Sequence, residues 1–134
     1  MRGIRGATTV PVNDAGAIVE ATEELLVELV RLNELDAEEI AFAYFTTTID
    51  LDAEFPALAA RRLGWVDVPM LCGHDMEVRQ PNPRGVRMCV RVLLLYNTER
   101  RQGEMRHAYL RGARAIKRDL DAMRSSLEAA VSGQ

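Results

Sequence analysis

The chain has 134 residues, 48% of them hydrophobic, and a formal net charge of -3; that is enough for one domain burying roughly two-thirds of its unfolded surface without staples. Its two cysteines, Cys72 and Cys89, lie far apart and in no CxxC or Cys/His spacing, which argues against a disulfide framework and a zinc centre and for a reducing, intracellular setting. No window reaches the ~18 apolar residues of a membrane span, and MRGIRGATTV lacks a signal-peptide core, so a soluble, cytoplasmic protein with no membrane partner is expected.

Residues 1–10 alternate Ile4, Gly6, Thr8 and Val10 against Gly3, Arg5, Ala7 and Thr9, a strand pattern whose glycines imply close backbone approach or a bulge. Asn13 or Asp14 caps a helix carried by Ile18, Ala21, Leu25, Leu29 and Leu32, with Asn33 as its left-handed stop and Asp36–Glu39 as a capped turn. IAFAYFTTT, residues 40–48, is apolar on both faces and predicts a central strand. A short helix over about residues 55–63 follows, with Pro56 in its first turn and Gly64 at its end. WVDVPMLC, residues 65–72, reads as a third strand that Pro69 confines to an edge or bulge.

A Pro- and Gly-rich loop leads into a long fourth strand, residues 86–97. RHAYLRGARAI is a short strand or a turn of helix, and from Asp119 the spacing of Leu120, Met123, Leu127 and Val131 predicts a terminal amphipathic helix. The order is mixed α/β, with two main helices, too few to cover both faces of a sheet, which predicts an oligomer whose sheets pack together. Residues 14–39 carry nine acids and one base, whereas residues 99–118 carry seven bases and two acids, pointing to an anionic partner near the C-terminal half.

GxGxxG, P-loop, HExxH and GxSxG motifs are absent. His74 and His107 have no metal spacing, and Cys72 has no neighbouring partner to activate it, so a small buried thiol competes with a nucleophile there. A lone RGIRG in an acidic chain is poor support for nucleic-acid binding, and none is expected. The strand arginines are the stronger signal. Arg91 shares a face with Cys89, Leu93 and Leu95, and Arg5 shares one with Gly3 and Ala7. Each either snorkels from an edge strand or lines a polar pocket whose anion compensates a guanidinium among apolar groups. Arg61 and Arg62 close a helix and complement its dipole.

Five segments, RGIRGATTV, DLDAEFPALAAR, VPMLCGHDMEV, CVRVLLLYNT and RHAYLRGA, stand in the order and spacing of the monofunctional chorismate mutases of the trimeric α/β-barrel class. The chain resembles that family over about residues 1–120, which implies one chorismate mutase domain followed by an extension, residues 121–134, helical or partly disordered. The resemblance implies an α/β (α+β) mixed sheet assembled as a trimeric pseudo-barrel, with an active site at each subunit interface. The implied reaction is the Claisen rearrangement of chorismate to prephenate, on the path to phenylalanine and tyrosine, without cofactor or metal.

By that resemblance Arg5 binds the side-chain carboxylate with Tyr109 beside it, and Arg91 reaches the ether oxygen of the breaking bond. Cys72 and Asp75 contact the ring hydroxyl. Phe55, Ala57 and Arg61 supply a wall and a flanking charge, and Ile116 and Lys117 belong to a mobile C-terminal segment near the mouth. This sequence departs from the family in having Asp75 for the usual glutamate, Leu58 where a lysine can occur, and Arg118 for a common tail proline. A different class of function, a non-catalytic trimeric protein binding a carboxylate metabolite, uses the same arginines, as trimeric imine-deaminase-like proteins illustrate for the architecture.

Overall fold

Alternation at the N-terminus gives β1, Arg2–Thr9, whose Ile4, Gly6 and Thr8 are buried on one face. The helix that covers this face, α1 (Ala15–Asn33), starts at Asp14, an extended residue whose carboxylate accepts the Ala17 N–H at 3.1 Å. Its buried stripe of Ile18, Ala21, Leu25, Leu26 and Leu29 follows the helical period read from the sequence. Gly6 lets that stripe approach: a Cβ there would stand 2.9 Å from Leu29 Cδ1 and 3.0 Å from Leu25 Cδ1. The other glycine of the strand's interior, Gly3, has only an ordinary contact at 3.9 Å, so close approach holds at one of the two.

The structure is a computed structural model and describes residues 1–132. The remaining elements are β2 (Ile40–Thr47), α2 (Ala57–Arg62), β3 (Met70–His74), β4 (Cys89–Tyr96), β5 (Ala108–Tyr109) and α3 (Arg114–Ser132). Five strands form one mixed sheet in the order β3-β2-β4-β1-β5. β4 is antiparallel to both β1 and β2, whereas the outer strands β3 and β5 run parallel to their neighbours. α1 and α2 pack on one face, where Phe45, Val92 and Leu94 join the α1 leucines in the main core. The opposite face carries the exposed side chains of Tyr44, Leu71 and Leu93.

Several expectations are corrected. Asn33 is not the left-handed stop: it remains helical, and Glu34 takes φ 53°. Asn33 is instead a buried clamp, its amide nitrogen donating to the carbonyls of Leu29 and Arg106 and its oxygen accepting the Arg106 N–H at 2.7 Å. The third strand begins after Pro69, not at Trp65. Residues 65–68 close α2, where Gly64 has φ 92° and the Trp65 N–H reaches the Ala60 carbonyl, and they fill the core with Trp65 and Val68. Pro69 still enters the ladder through its carbonyl, which accepts the Ala43 N–H.

The fourth strand is shorter than expected, because Met88 has φ 51° and breaks the run just before Cys89. The terminal helix starts at Arg114, five residues earlier than its apolar spacing suggested, and runs unbroken through Arg118, where no proline interrupts it. Residues 121–132 of the extension are helical; residues 133–134 lie outside the described residues.

Candidate active site

Antiparallel register fixes which side chains share the open face. Arg5 lies opposite Leu93, and Arg91 lies opposite Ala7 on one side and Thr46 on the other. Arg5 and Arg91 are therefore diagonal neighbours on one face, with backbones roughly 7–8 Å apart, and small flanking residues leave room for the Arg91 guanidinium.

The entry to β4 is held by polar ties. The Asp50 carboxylate accepts the Met88 N–H through both oxygens, at 3.2 and 3.1 Å, and Thr48 Oγ1 accepts the Cys89 N–H at 2.9 Å. These bonds satisfy the backbone where the left-handed residue breaks the ladder, and so set the frame from which Arg91 projects.

Asp75 follows β3, and its N–H extends the ladder to the Thr47 carbonyl at 2.8 Å. Its carboxylate turns to the open face, where Oδ2 lies 3.5 Å from Arg91 Nε. That is an ion pair without hydrogen-bond geometry, and the same oxygen is buried with no donor. Part of the counter-charge of Arg91 thus comes from the chain itself, whereas the sequence suggested that a ligand supplies it. Asp75 retains an acceptor for which the described residues provide no donor.

Arg5 donates from Nε and Nη2 to the Tyr109 hydroxyl oxygen, at 3.1 and 2.9 Å. With both bonds accepted by the oxygen, the phenolic proton is left to donate outward. No carboxylate among the described residues pairs with Arg5. The open face thus carries two guanidiniums against one carboxylate and suits an anionic ligand.

The backbone edge of β1 beside Arg5 is completed by side chains. β5 pairs only with Gly6 and Ala7. Farther along, Gln102 brackets Gly3, accepting its N–H and donating to its carbonyl, and His107 Nδ1 accepts the Arg5 N–H at 3.0 Å. Neither Gln102 nor His107 stands out in the sequence as a site residue; their partners are about a hundred positions away and no local pattern links them.

The other expected site residues lie elsewhere. Cys72 is in register with Phe45 and so projects to the helix-covered face, opposite to Arg91. There it lines a cleft with Phe55, Pro56 and His74, and His74 Nδ1 is 3.1 Å from Thr47 Oγ1. Burial pushes the Cys72 thiol up from its ordinary pKa, against smaller opposing effects of an Ala57 backbone hydrogen bond and the Arg61 charge. A neutral thiol at pH 7 is a wall and a weak hydrogen-bonding group, not a nucleophile.

Phe55 is 69% exposed at the cleft. Ile116 packs against Ala7, Cys89 and Ala113 on the open face, with Lys117 exposed beside it. Arg111 ties this segment to α1 through Glu24 at 3.0 Å, and the Gly112 N–H reaches Thr9 Oγ1. The structure therefore gathers Arg5, Tyr109, Arg91 and Asp75 on one face, with Ile116 at its border. It places Cys72, Phe55, Ala57 and Arg61 around the other, so one chain does not enclose a ligand with both sets. Among the described residues, no three of His, Cys, Asp and Glu converge as metal ligands.

Comparisons with known proteins agree with one another. The sequence profile of chorismate mutase type I matches residues 1–120. The chain is 42% identical over 123 residues to the chorismate mutase AroH of Thermus thermophilus, covering 91% of this chain and 98% of the relative. It is 35% identical over 127 residues to the chorismate mutase AroH of Bacillus subtilis, covering 94% and 97%. A solved chorismate mutase from Clostridium thermocellum superposes with a TM-score of 0.78 at 41% identity, over 84% of this chain and 96% of that one.

Proposed function

The chain belongs to the chorismate mutase type I family and is an isomerase of aromatic amino acid biosynthesis, and we propose that Arg5 and Arg91 carry its rearrangement of chorismate to prephenate. The supporting observation is the open face, where two diagonal guanidiniums stand beside the donorless Asp75 oxygen. The reaction is unimolecular and pericyclic, so it requires neither a nucleophile nor proton abstraction; holding the compact diaxial conformer supplies much of the effect. The ether oxygen becomes more negative as its bond to the ring breaks. Arg91, fixed beside that oxygen, therefore binds the transition state better than the ground state.

In this reading Arg5 takes the side-chain carboxylate, with the Tyr109 hydroxyl as a further donor. The ring hydroxyl donates to Asp75 Oδ2, which relieves a buried acceptor. The shorter Asp75 suits this task because its carboxylate already lies beside Arg91. Cys72, Phe55, Ala57 and Arg61 come from a neighbouring copy, since in one chain they flank the other side of the sheet. Ile116 and Lys117 border the mouth. Residues 1–120 act as one catalytic domain, to which the terminal helix is appended.

The assembly proposed is a homotrimer with its open sheet faces inward. Leu71 is 70%, Leu93 42% and Tyr44 39% exposed on that face, and with Phe42, Pro69 and Met70 they line an apolar groove, an exposed apolar surface of the kind a partner covers. Two measurements test the proposal together. Loss of chorismate ultraviolet absorbance should be catalysed by the wild type and lowered by Arg91→Ala by on the order of 10²- to 10³-fold or more. Arg91→Lys should also be severely impaired, since the fork geometry is lost. Sedimentation velocity should give a three-chain species. Near-normal turnover by Arg91→Ala would remove the assignment, and an active monomer would remove the composite site.

A further inference from the structure

We propose that His107 is a positioning residue for Arg5: by accepting the Arg5 backbone N–H at Nδ1 it holds the β1 edge from which the guanidinium is aimed, and protonation of the imidazole releases it. This rests on the reading that Arg5 binds a substrate carboxylate.

The edge geometry carries the inference. β1 has a full antiparallel ladder to β4, but on its other side β5 supplies backbone partners only at Gly6 and Ala7. Beyond that point the two residues whose peptide groups face outward, Gly3 and Arg5, are held by side chains, Gly3 by the Gln102 amide and Arg5 by His107. His107 thus stands in for the strand that would otherwise continue β5. It does so at the residue whose side chain makes the paired bonds to Tyr109, two positions further along the same segment. Arg5 is accordingly fixed from both ends through one short stretch, residues 107–109.

An acceptor at Nδ1 requires the neutral imidazole with its proton on Nε2. Protonation puts an N–H at Nδ1, facing the Arg5 N–H, so the bond becomes a repulsion. The charged groups that face the ring are both cations, Arg5 of β1 and Arg124 of α3. Partial burial, then these two charges, lower its pKa below the ordinary histidine value. The acceptor is therefore in place at pH 7 and is lost as pH falls from about 6.5 through the lowered value. Substrate carboxylates, with ordinary pKa values of about 3–4, stay ionised in that range.

The test is kcat and KM for chorismate from pH 5 to 9 in the wild type, His107→Asn and His107→Ala, with Arg5→Ala at pH 8 beside them. The Asn side-chain oxygen takes the place of Nδ1 and does not titrate. Wild-type kcat/KM should fall on the acid side with a one-proton slope. His107→Asn should flatten that limb and remain within about 3-fold of wild type at pH 8, whereas His107→Ala should raise KM about 3- to 10-fold with a smaller change in kcat, the size of one net hydrogen bond.

An acid limb that persists in His107→Asn overturns the proposal. An unchanged KM in His107→Ala does the same. If Arg5→Ala also leaves KM unchanged, the carboxylate-binding role of Arg5 falls and the proposal with it. Should His107→Ala fail to fold, the pH profile of His107→Asn decides alone.

Discussion

The two faces of the sheet are built by the same alternation and put to opposite uses. On one, Ile4, Phe45, Val92 and Leu94 meet Leu25, Leu26 and Leu29 of α1, and none of the buried side chains among the described residues is charged. On the other, the intervening positions of the same strands present Arg5, Arg91, Leu93 and Tyr44, and the chain's own helices cover little more than Ala7 and Cys89, through Ala113 and Ile116. The first face gathers the burial that stabilises the chain. The second is the face proposed above to take a ligand and a partner. Stability and activity should therefore come apart when the faces are altered separately.

The largest separation is expected from one pair of variants. Arg91→Ala should lose turnover by on the order of 10²-fold or more while leaving the thermal midpoint of the apo protein nearly unchanged. Its side chain is 45% exposed, and its one ion pair is a long contact. Leu29→Ala, fully buried under Gly6, should cost about 2–5 kcal/mol of stability with near-normal activity per folded molecule. Denaturation at one fixed protein concentration, read beside the chorismate assay, checks both, because the proposed assembly would make midpoints depend on concentration. If Arg91→Ala unfolds the protein as readily as Leu29→Ala, the division between the faces is wrong.

A smaller effect sharpens the same contrast at one backbone position. Gly6→Ala adds a methyl 2.9–3.0 Å from two leucines of α1, so it should cost about 1–3 kcal/mol through overpacking. Gly3→Ala, on the opposite face of the same strand, meets only Leu93 at 3.9 Å. Its stability should change by less than ~1 kcal/mol, since nothing need shift there. Urea titration of the two variants decides it, and equal destabilisation would mean that α1 does not set the spacing.

Much of this division is legible in the sequence, because a period of two places Arg5 and Arg91 on strand faces from residue order alone. The period of 3.6 does the same for α1. Both are local signals repeated over a whole element. What failed were signals resting on one or two residues. Trp65 and Val68 have strand propensity but serve a helix end and the core, and Asn33 prefers a left-handed position but is engaged with Arg106, 73 residues away. His107 has its partner 102 residues away. The grouping of Cys72 with Asp75 is open to question from spacing alone, since three residues along a strand reverse the face. The resemblance joins them because it describes a pocket and not one chain.

That reversal leads to the smallest effect. Cys72 lies on the helix side of β3, where burial raises its pKa more than the Ala57 hydrogen bond and the Arg61 charge lower it. The thiol is then neutral at pH 7, and a neutral thiol contributes shape and one weak hydrogen bond. Replacing it with alanine should therefore change KM by less than about 10-fold, the limit set by a single net hydrogen bond, far less than the loss expected at Arg91. A small neutral alkylating reagent should modify Cys72 more slowly than a free cysteine at pH 7, with the rate climbing only above the ordinary thiol range of about 8.5. Rapid modification at neutral pH, followed by mass spectrometry of the Cys72 peptide, would show a thiolate there and would make the helix-side cleft an electrostatic half of the site, not a wall.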